Sequence, residues 1–240
     1  VDLGEVGTFE GDDFDADYVV SMGGDGTFLK SAVRVGCKQI PLIGVNMGRL
    51  GFLADVLPGE VETALQAVFD GNYQIEEHTA IQITTEGGDF DGCHYALNDI
   101  AVLKRDVASM IGIDTRIDDS FLVTYQADGL IVSTPTGSTA YSLSAGGPVV
   151  EPTAENLSIT PICAHALQSK SFVLAKDRTV ELKLGRQVRK TAYLSVDGGR
   201  AVRLSGGDKI RIRASEQGVG LVRMTQRSFY QILLSKLGKS

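Results

Sequence analysis

The chain has 240 residues, of which 43% are hydrophobic and 22% charged, so it can bury the core of one large or two modest domains. Its net charge of −7 argues against nucleic acid or an anionic membrane as a main partner. No apolar run approaches the roughly 18 residues of a transmembrane helix, so no segment is predicted to span a membrane. The cysteines Cys37, Cys93 and Cys163 are far apart and odd in number, which favours free thiols in a reducing cytoplasm.

A strand, a glycine turn and a helix are predicted near the beginning of the chain. Residues 17–21 form a strand-like run, residues 22–27 read Met-Gly-Gly-Asp-Gly-Thr, and residues 27–34 have apolar side chains at helical spacing. A doubly wound α/β domain usually has an earlier strand and helix. We therefore expect a further N-terminal segment to precede Val1.

The glycine turn, Gly23-Gly24-Asp25-Gly26, is suited to phosphate chemistry. Glycines let a ligand approach the backbone, and a helix N-terminus offers unpaired N–H groups to a phosphate. Asp25 would repel a phosphate, so we interpret it either as a metal ligand or as a base that takes a proton from an attacking hydroxyl. Asp-Gly is also a common hairpin turn, although helical spacing follows it. Leu29 stands where a Walker A loop or a dinucleotide fingerprint needs a glycine.

A second strand and a second glycine loop follow. Residues 39–45 read as a buried strand, and residues 46–53 form its glycine-rich end. Arg49 in this loop could meet a phosphate or be a surface arginine, and Phe52 could wall a base or pack in the core. A helix is predicted over residues 61–68, with Gly71 ending it. The β-α-β-α order predicts a parallel, Rossmann-like sheet.

The pattern changes near Tyr73 to short runs of alternating apolar residues separated by turn clusters. This spacing predicts an all-β, sandwich-like unit. The tail returns to helical spacing from Phe229 to Leu237, and we expect it to dock on the first unit. The predicted division is an α/β unit of residues 1–73 with 219–240, which carries the glycine turn, and a β-sandwich of residues 74–218.

Two stretches of the predicted β unit carry polar groups suited to a nucleotide. Asn98-Asp99 places an amide beside a carboxylate, which suits ribose hydroxyls or an adenine edge, with a β-turn or bulge as the alternative. Residues 128–148 continue an apolar strand into a glycine-rich loop, and six hydroxyl side chains lie from Ser133 to Tyr141. A Ser/Thr-rich linker is the alternative interpretation of this loop.

Other catalytic classes find little support. No Gly-x-Ser-x-Gly elbow occurs in the hydroxyl-rich loop, and His78, His94 and His165 show no triad spacing. Cys93-His94 lacks the second pair of ligands that a zinc site needs. No metal site built from protein ligands alone is predicted.

Taken together, these stretches resemble the NAD kinase family, whose members use ATP or polyphosphate. Residues 23–27 look like the active-site loop of the family, and residues 46–53 are similar to its second glycine loop. Asn98-Asp99 resembles its Asn-acid pair, with a shorter acid here, and residues 159–163 are similar to another family stretch. The first motif is shared with diacylglycerol and sphingosine kinases and with phosphofructokinases. Residues 128–148 carry the more specific resemblance.

The resemblance implies an α/β domain on the ATP side plus a dinucleotide-binding β-sandwich domain. It also implies transfer of a phosphoryl group from Mg-ATP to the 2′-hydroxyl of the adenosine ribose of NAD. Asp25 would be the proton acceptor. The residues implied to contact NAD are Gly26, Asn98, Asp99, Gln126, Asp128, Thr139, Ala140, Tyr141, Ser142, Leu143 and Ser144. The residues expected on the nucleotide and phosphate side are Gly23, Gly24, Thr27, Lys30, Arg49 and Phe52.

The sequence departs from the family at two positions. Gln126 stands where some relatives carry arginine, and an uncharged residue there is associated with tolerance of NADH, so NADH stays open as a second substrate. Gly199 replaces a glutamine that some relatives use at the ligand. The resemblance also implies a homodimer or homotetramer with shared sites. The alternatives are a lipid or sugar kinase with the same glycine turn, and a dinucleotide-binding regulator without catalysis.

Overall fold

A computed structural model describes residues 11, 13–48, 51–86, 95–105, 109–165, 169–185, 192–199, 201–224 and 227–238. Its first unit is built on a four-stranded mixed sheet flanked by helices. In spatial order the strands are β1 (Val19–Gly23), β2 (Leu42–Asn46), β16 (Val219–Arg223) and β3 (Gln74–His78). β1, β2 and β16 are parallel, and β3 closes the edge in the antiparallel direction.

Helices cover both faces of the central strand β2, which is buried along its whole length. Helix α1 (Asp25–Val35) packs on one face, where its residues Phe28, Ala32 and Val35 cluster with Leu42. Helix α2 (Val61–Phe69) covers the other face. Because both faces are covered, β2 reads as a continuous apolar run rather than an alternating one.

The glycine turn is shorter than the sequence suggests. β1 extends to Gly23, which pairs with Asn46, and α1 begins at Asp25 rather than at Thr27. The difference arises because Gly24 takes the N-cap position and its carbonyl accepts hydrogen bonds from Thr27 and Phe28. Asp25 therefore lies in the first turn of a helix, where the helix dipole stabilises a carboxylate.

The second unit consists of two six-stranded antiparallel sheets. In spatial order the first contains β11 (Phe172–Ala175), β10 (Asn156–Ile162), β9 (Gly129–Ser133), β6 (Asp99–Lys104), β13 (Ala192–Val196) and β14 (Ala201–Leu204). The second contains β5 (Tyr95–Ala96), β4 (Ile81–Glu86), β15 (Lys209–Ala214), β12 (Val180–Leu184), β7 (Ile111–Ile117) and β8 (Ser120–Ala127). One core cluster draws buried side chains from both sheets, so the sheets pack face to face.

The predicted fold class, an α/β unit plus a sandwich-like β unit, is confirmed. The exact division between units stays a prediction, and one strand does not follow it. β3 (Gln74–His78) pairs with β16 in the first sheet, whereas the predicted division assigns residues 74–78 to the β unit. The tail forms helix α4 (Phe229–Leu237), which is capped by Ser228 and Gln231 and contacts the first unit through Phe52.

Among the residues that the structure describes, no helix is both long and apolar enough to cross a bilayer.

The buried face of α1 should carry much of the stability of the first unit. Phe28 is 0% exposed, whereas Val33 on the opposite face of the same helix is 38% exposed. We expect Phe28→Ala to lower the free energy of unfolding by about 3–5 kcal/mol, and Val33→Ala by about 0.5 kcal/mol or less. Urea unfolding followed by circular dichroism measures both, and equal effects of the two substitutions would contradict this packing.

Candidate active site

Three backbone N–H groups hold the carboxylate of Asp25. Leu53 and Ala54 donate to Oδ1 at 3.0 and 3.3 Å, and Phe52 donates to Oδ2 at 2.9 Å. Each carboxylate oxygen has about two acceptor positions. Both positions of Oδ1 are therefore used, while Oδ2 keeps one for another donor.

Gly51 makes this close approach possible. A Cβ atom at position 51 would lie 1.9 Å from Oδ1 of Asp25, so any side chain there would displace the carboxylate. The glycine of the second loop thus has a steric role toward the aspartate of the first turn. The sequence places these residues on separate loops, and the parallel pairing of β1 with β2 brings the loops together.

The hydroxyl-rich stretch forms a compact corner after β9. A 3-10 helix (Thr136–Thr139) and the short helix α3 (Tyr141–Ser144) follow the strand directly. Thr134 fastens this corner to the neighbouring loop, because its N–H donates to the carbonyl of Asn98 and its hydroxyl donates to that of Leu97. The absence of a side chain at Gly137 also allows the corner to lie against the backbone of Asn98, since a Cβ at position 137 would lie 1.9 Å from the carbonyl oxygen of Asn98.

A second carboxylate, that of Asp197, organises the Asn98-Asp99 pair. Its oxygens accept hydrogen bonds from the backbone N–H groups of Leu97, Asn98 and Asp99 at 2.8, 2.8 and 3.0 Å. Asp197 occupies a left-handed turn conformation with φ 49°. Its carboxylate therefore reaches from the β13–β14 turn into the site and fixes the backbone that presents Asn98.

Two acids interact electrostatically here, the buried Asp99 and the partly buried Asp197. Burial raises the pKa of Asp99 to about 7, the charge of Asp197 adds to this rise, and a hydrogen bond from the backbone N–H of Tyr141 opposes it. Burial also raises the pKa of Asp197, although its backbone hydrogen bonds act in the opposite direction. Asp99 is thus a group that can change its protonation near neutral pH.

One cavity of about 280 Å³ joins the two units. Its lining combines the Asp25 carboxylate with the corner after β9 and with the C-terminal helix. The described lining residues are Asp25, Phe52, Leu53, Asn98, Thr136, Thr139, Ala140, Leu143, Leu233, Lys236 and Leu237. Asp25 is the only carboxylate among them.

The C-terminal helix supplies a cation beside this carboxylate. Nζ of Lys236 lies 4.0 Å from Oδ2 of Asp25 and 4.3 Å from the centre of the Phe52 ring. The same ring packs against Phe229 at the start of α4, with ring centres 6.0 Å apart. The helix is thereby held so that its lysine faces the open position of the aspartate, which suits an anionic ligand.

Family models identify both units. The model described as the ATP-NAD kinase N-terminal domain matches residues 5–73, and the ATP-NAD kinase C-terminal domain matches residues 97–224. A NAD kinase of Bacteroides fragilis is 43% identical over 95% of this chain and 78% of its own length. The chain belongs to the NAD kinase family. The family predicted from the sequence motifs is confirmed.

Other members of the NAD kinase family agree in sequence and in structure. A NAD kinase of Geotalea daltonii is 38% identical over 92% of this chain and 78% of its own length. Yeast NADH kinase, solved in complex with NADH, superposes with a TM-score of 0.84 at 31% identity over 93% of this chain and 66% of that chain. A NAD kinase from Archaeoglobus fulgidus, solved in complex with ATP, gives a TM-score of 0.78 at 31% identity over 93% and 84%.

The structure brings six of the predicted site residues to the cavity. They come from four separate parts of the chain and were assigned to different groups by the sequence. They are Asp25, Phe52, Asn98, Thr139, Ala140 and Leu143. Their roles toward a ligand remain predictions.

Other residues predicted to contact NAD lie outside the cavity lining. Asp128 pairs with Lys104 at 2.6 Å, and Gln126 is exposed on β8. The hydroxyl of Ser142 is buried and lies 3.0 Å from that of Thr160, so it is not presented to the cavity. Tyr141 is partly exposed beside Asp99, and Ser144 is exposed at the end of α3. Asp99 is buried behind the lining.

The predicted phosphate-side residues surround the start of α1. Gly23 ends β1, and a Cβ there would lie 2.3 Å from Oγ1 of Thr27, so the two residues are in close contact. Gly24, Thr27 and Lys30 are exposed, and so is the adjacent Gly26, which was predicted to contact NAD. Arg49 lies outside the described residues.

Sequence reasoning missed several residues of the cavity. Lys236 and Leu233 were assigned only to a docking helix, and Thr136 was counted only as one of several hydroxyls. Asp197, which lies outside this lining, was not selected either, although it fixes the Asn98 backbone. Periodicity and local motifs indicate which element a residue belongs to, and they do not indicate which distant loop its side chain reaches.

The raised pKa of Asp99 leads to a prediction about stability. An acid with a higher pKa in the folded than in the unfolded protein keeps its proton longer when folded, so stability falls as the pH rises toward 7 and levels off above it. We expect the wild type to lose more stability between pH 5 and pH 8 than Asp99→Asn does, by at least about 1 kcal/mol.

Urea unfolding of both proteins at the two pH values measures this difference. The effects of His78 and of other groups that do not interact with Asp99 cancel, because both proteins contain them. Parallel losses in the two proteins would contradict the assignment of the titration to Asp99.

Proposed function

We propose that this chain phosphorylates the 2′-hydroxyl of the adenosine ribose of NAD, with ATP as the donor and NADP as the product. The observation that carries the proposal is the shared cavity, in which Asp25 lies beside the hydroxyl-rich corner and Asn98. Among the described lining residues, no corresponding feature favours a lipid or a sugar as the acceptor. A corner rich in hydroxyl groups suits a polar acceptor of nucleotide size.

Asp25 is the residue that we assign to proton transfer. Oδ2 keeps one free acceptor position, which a ribose hydroxyl can occupy while it attacks the terminal phosphorus. The three backbone N–H groups fix the direction of the carboxylate, so little reorganisation is needed at the moment of reaction. Lys236, beside the same oxygen, is placed to balance the negative charge of the triphosphate.

Magnesium fits this site as a companion of ATP. Within the described ranges no three His, Cys, Asp or Glu side chains form a group that could hold a metal. Mg²⁺ usually keeps several waters and binds one or two carboxylates together with substrate phosphates. The one open position of Asp25 is assigned to the ribose hydroxyl, so the ion would be held by the phosphates and by water, and it would screen the charge of the phosphates.

Further parts of the proposal concern the second substrate, the assembly and the compartment. We include NADH as an acceptor because Gln126 is uncharged. A homodimer or homotetramer is supported by Phe121 and Val173, which are 59% and 55% exposed on the edge strands β8 and β11. A reducing cytoplasm suits the free thiol of Cys163.

The direct test is to incubate the protein with Mg-ATP and one acceptor at a time. The acceptors are NAD, NADH, a sugar phosphate and diacylglycerol, and a parallel reaction replaces ATP with polyphosphate. NADP formation from NAD supports the proposal. Label transfer only to the sugar or the lipid, or binding of NAD without any turnover, would overturn it in favour of the corresponding alternative.

Substitution of Asp25 separates binding from chemistry. Asp25→Asn places an N–H donor where one carboxylate oxygen stood and removes the proton acceptor. We expect turnover to fall about 10²–10⁴-fold, while NAD binding measured by titration calorimetry changes little. Wild-type turnover in this variant would end the assignment of Asp25 as the base.

Two glycines of the second loop test the geometry around Asp25. A Cβ at Gly51 would collide with the Asp25 carboxylate, whereas the nearest atom to a Cβ at Gly48 is 4.0 Å away. Because misplacement of a reacting group by about 1 Å can cost on the order of 10²-fold in rate, we expect such a loss for Gly51→Ala and little change for Gly48→Ala. Initial rates of NADP formation compare the two variants, and equal rates would contradict the collision.

A further inference from the structure

A buried histidine stands directly behind the cavity wall. His78 ends β3 and is 1% exposed. Its Nδ1 lies 2.7 Å from Oγ1 of Thr136, and its Nε2 lies 2.6 Å from Oε1 of Glu76. Thr136 lines the cavity together with Asp25. His78 therefore connects a strand of the first unit to a hydroxyl of the second.

The partners of the imidazole assign its proton. The hydrogen bond from His78 holds the pKa of Glu76 below its usual value, and the charge of Arg223 acts in the same direction, so Glu76 is an ionised acceptor. Burial lowers the pKa of His78, which is therefore neutral near pH 7. A neutral imidazole has one N–H, and it must be at Nε2 to donate to Glu76. Nδ1 is then an acceptor.

The direction of the next hydrogen bond follows from this tautomer. Thr136 has one hydroxyl hydrogen, which it donates in a hydrogen bond to Nδ1 of His78. Its Oγ1 therefore has only lone pairs left for the cavity. The hydroxyl hydrogen of the neighbouring lining residue Thr139 is also used, because this hydroxyl donates to the carbonyl of Thr136 at 3.2 Å. Both threonine hydroxyls of the described lining thus present acceptors to a ligand.

We propose that His78 is a positioning residue that makes this wall an acceptor surface, and that the wall selects a substrate group carrying an N–H or O–H donor. The inference rests on the proposed function, since NAD is the ligand considered. NAD offers such donors on the adenine amino group, on the nicotinamide carboxamide and on its ribose hydroxyls. Phosphate oxygens carry no hydrogen near pH 7 in a diester and are repelled by lone pairs. They belong beside Lys236 instead.

A network of charges keeps the histidine oriented. Arg223 lies 3.5 Å from Glu76 and 3.3 Å from Asp55, and it also donates to the carbonyls of Phe52 and Leu53. Those two residues supply N–H groups to Asp25. The segment that holds the catalytic carboxylate and the histidine that orients Thr136 therefore share one arginine.

The first arm of the test measures which hydrogen-bond donor of NAD the cavity wall recognises. Titration calorimetry without ATP compares NAD with three analogues: the hypoxanthine form lacks the adenine amino group, the nicotinic acid form lacks the carboxamide N–H, and the 3′-deoxyadenosine form lacks one ribose hydroxyl. We expect one analogue to bind at least about tenfold more weakly than NAD, since an unpaired buried acceptor is costly. Equal affinities for all four ligands would overturn the proposal.

The second arm tests whether His78 sets this preference. Thr136→Val removes the hydroxyl, and His78→Gln keeps an amide near the Nε2 position for Glu76 but offers no acceptor to Thr136. In both variants we expect the discrimination against that analogue to fall below about threefold, because the wall no longer presents a fixed acceptor. The amide oxygen of His78→Asn can replace Nδ1 as the acceptor. For this variant we expect the logarithm of the affinity ratio between NAD and that analogue to be at least half of the wild-type value.

The control is Thr115→Val, which removes a buried hydroxyl that has no hydrogen-bond partner among the described residues and lies on β7. Its discrimination should equal that of the wild type. Discrimination that persists in Thr136→Val or in a folded His78→Gln overturns the proposal, and Thr136→Val decides alone if His78→Gln does not fold. Binding of NAD without NADP formation would refute only the proposed activity, whereas failure to bind NAD would refute both.

Discussion

The site depends on a carboxylate held by backbone N–H groups. Phe52, Leu53 and Ala54 point their N–H groups at Asp25, and the absence of a side chain at Gly51 allows the contact. Backbone donors cannot rotate away as side chains do, so the carboxylate has a defined direction. The parallel pairing of β1 with β2 is what sets the two loops side by side.

The same arrangement occurs a second time, in the β unit. Asp197 accepts three successive N–H groups and thereby fixes Asn98 and the acid that follows it. The carboxylate of Asp25 is presented to the cavity, whereas that of the partly buried Asp197 supports the neighbouring backbone. The two units thus use the same arrangement in different positions, at the cavity lining in the first unit and behind it in the second.

The two units are joined by elements that a linear domain division separates. β3 and β16 pair in the first sheet, and from behind the wall His78 contacts Thr136 while Arg223 contacts Phe52 and Leu53, so lining residues of both units are held by this strand pair. The direction of the O–H bond of Thr136 is consequently determined by His78 on β3, a strand of the other unit. A polar group between the two units thus controls whether the cavity wall donates or accepts hydrogen bonds. The number of hydroxyl residues in the sequence does not reveal this.

Local sequence determined much of this protein. Apolar alternation marked the strands of the sandwich, helical spacing marked α1, α2 and α4, and the glycine turn with residues 128–148 identified the NAD kinase family. Asp25 and Asn98 could be selected in advance because their types and positions suit nucleotide chemistry, and Thr139 because of the resemblance to the family.

What only the tertiary structure decided is which of these groups meet. Lys236 comes from the far end of the chain to Asp25, Ser142 turns inward to Thr160, and β3 joins the other sheet. Side-chain direction and long-range pairing depend on packing between distant segments, which short-range periodicity does not encode. The positions of the elements follow from local patterns, whereas the polarity of the cavity follows from contacts between residues far apart in the chain, such as Thr136 with His78 and Asp25 with Lys236.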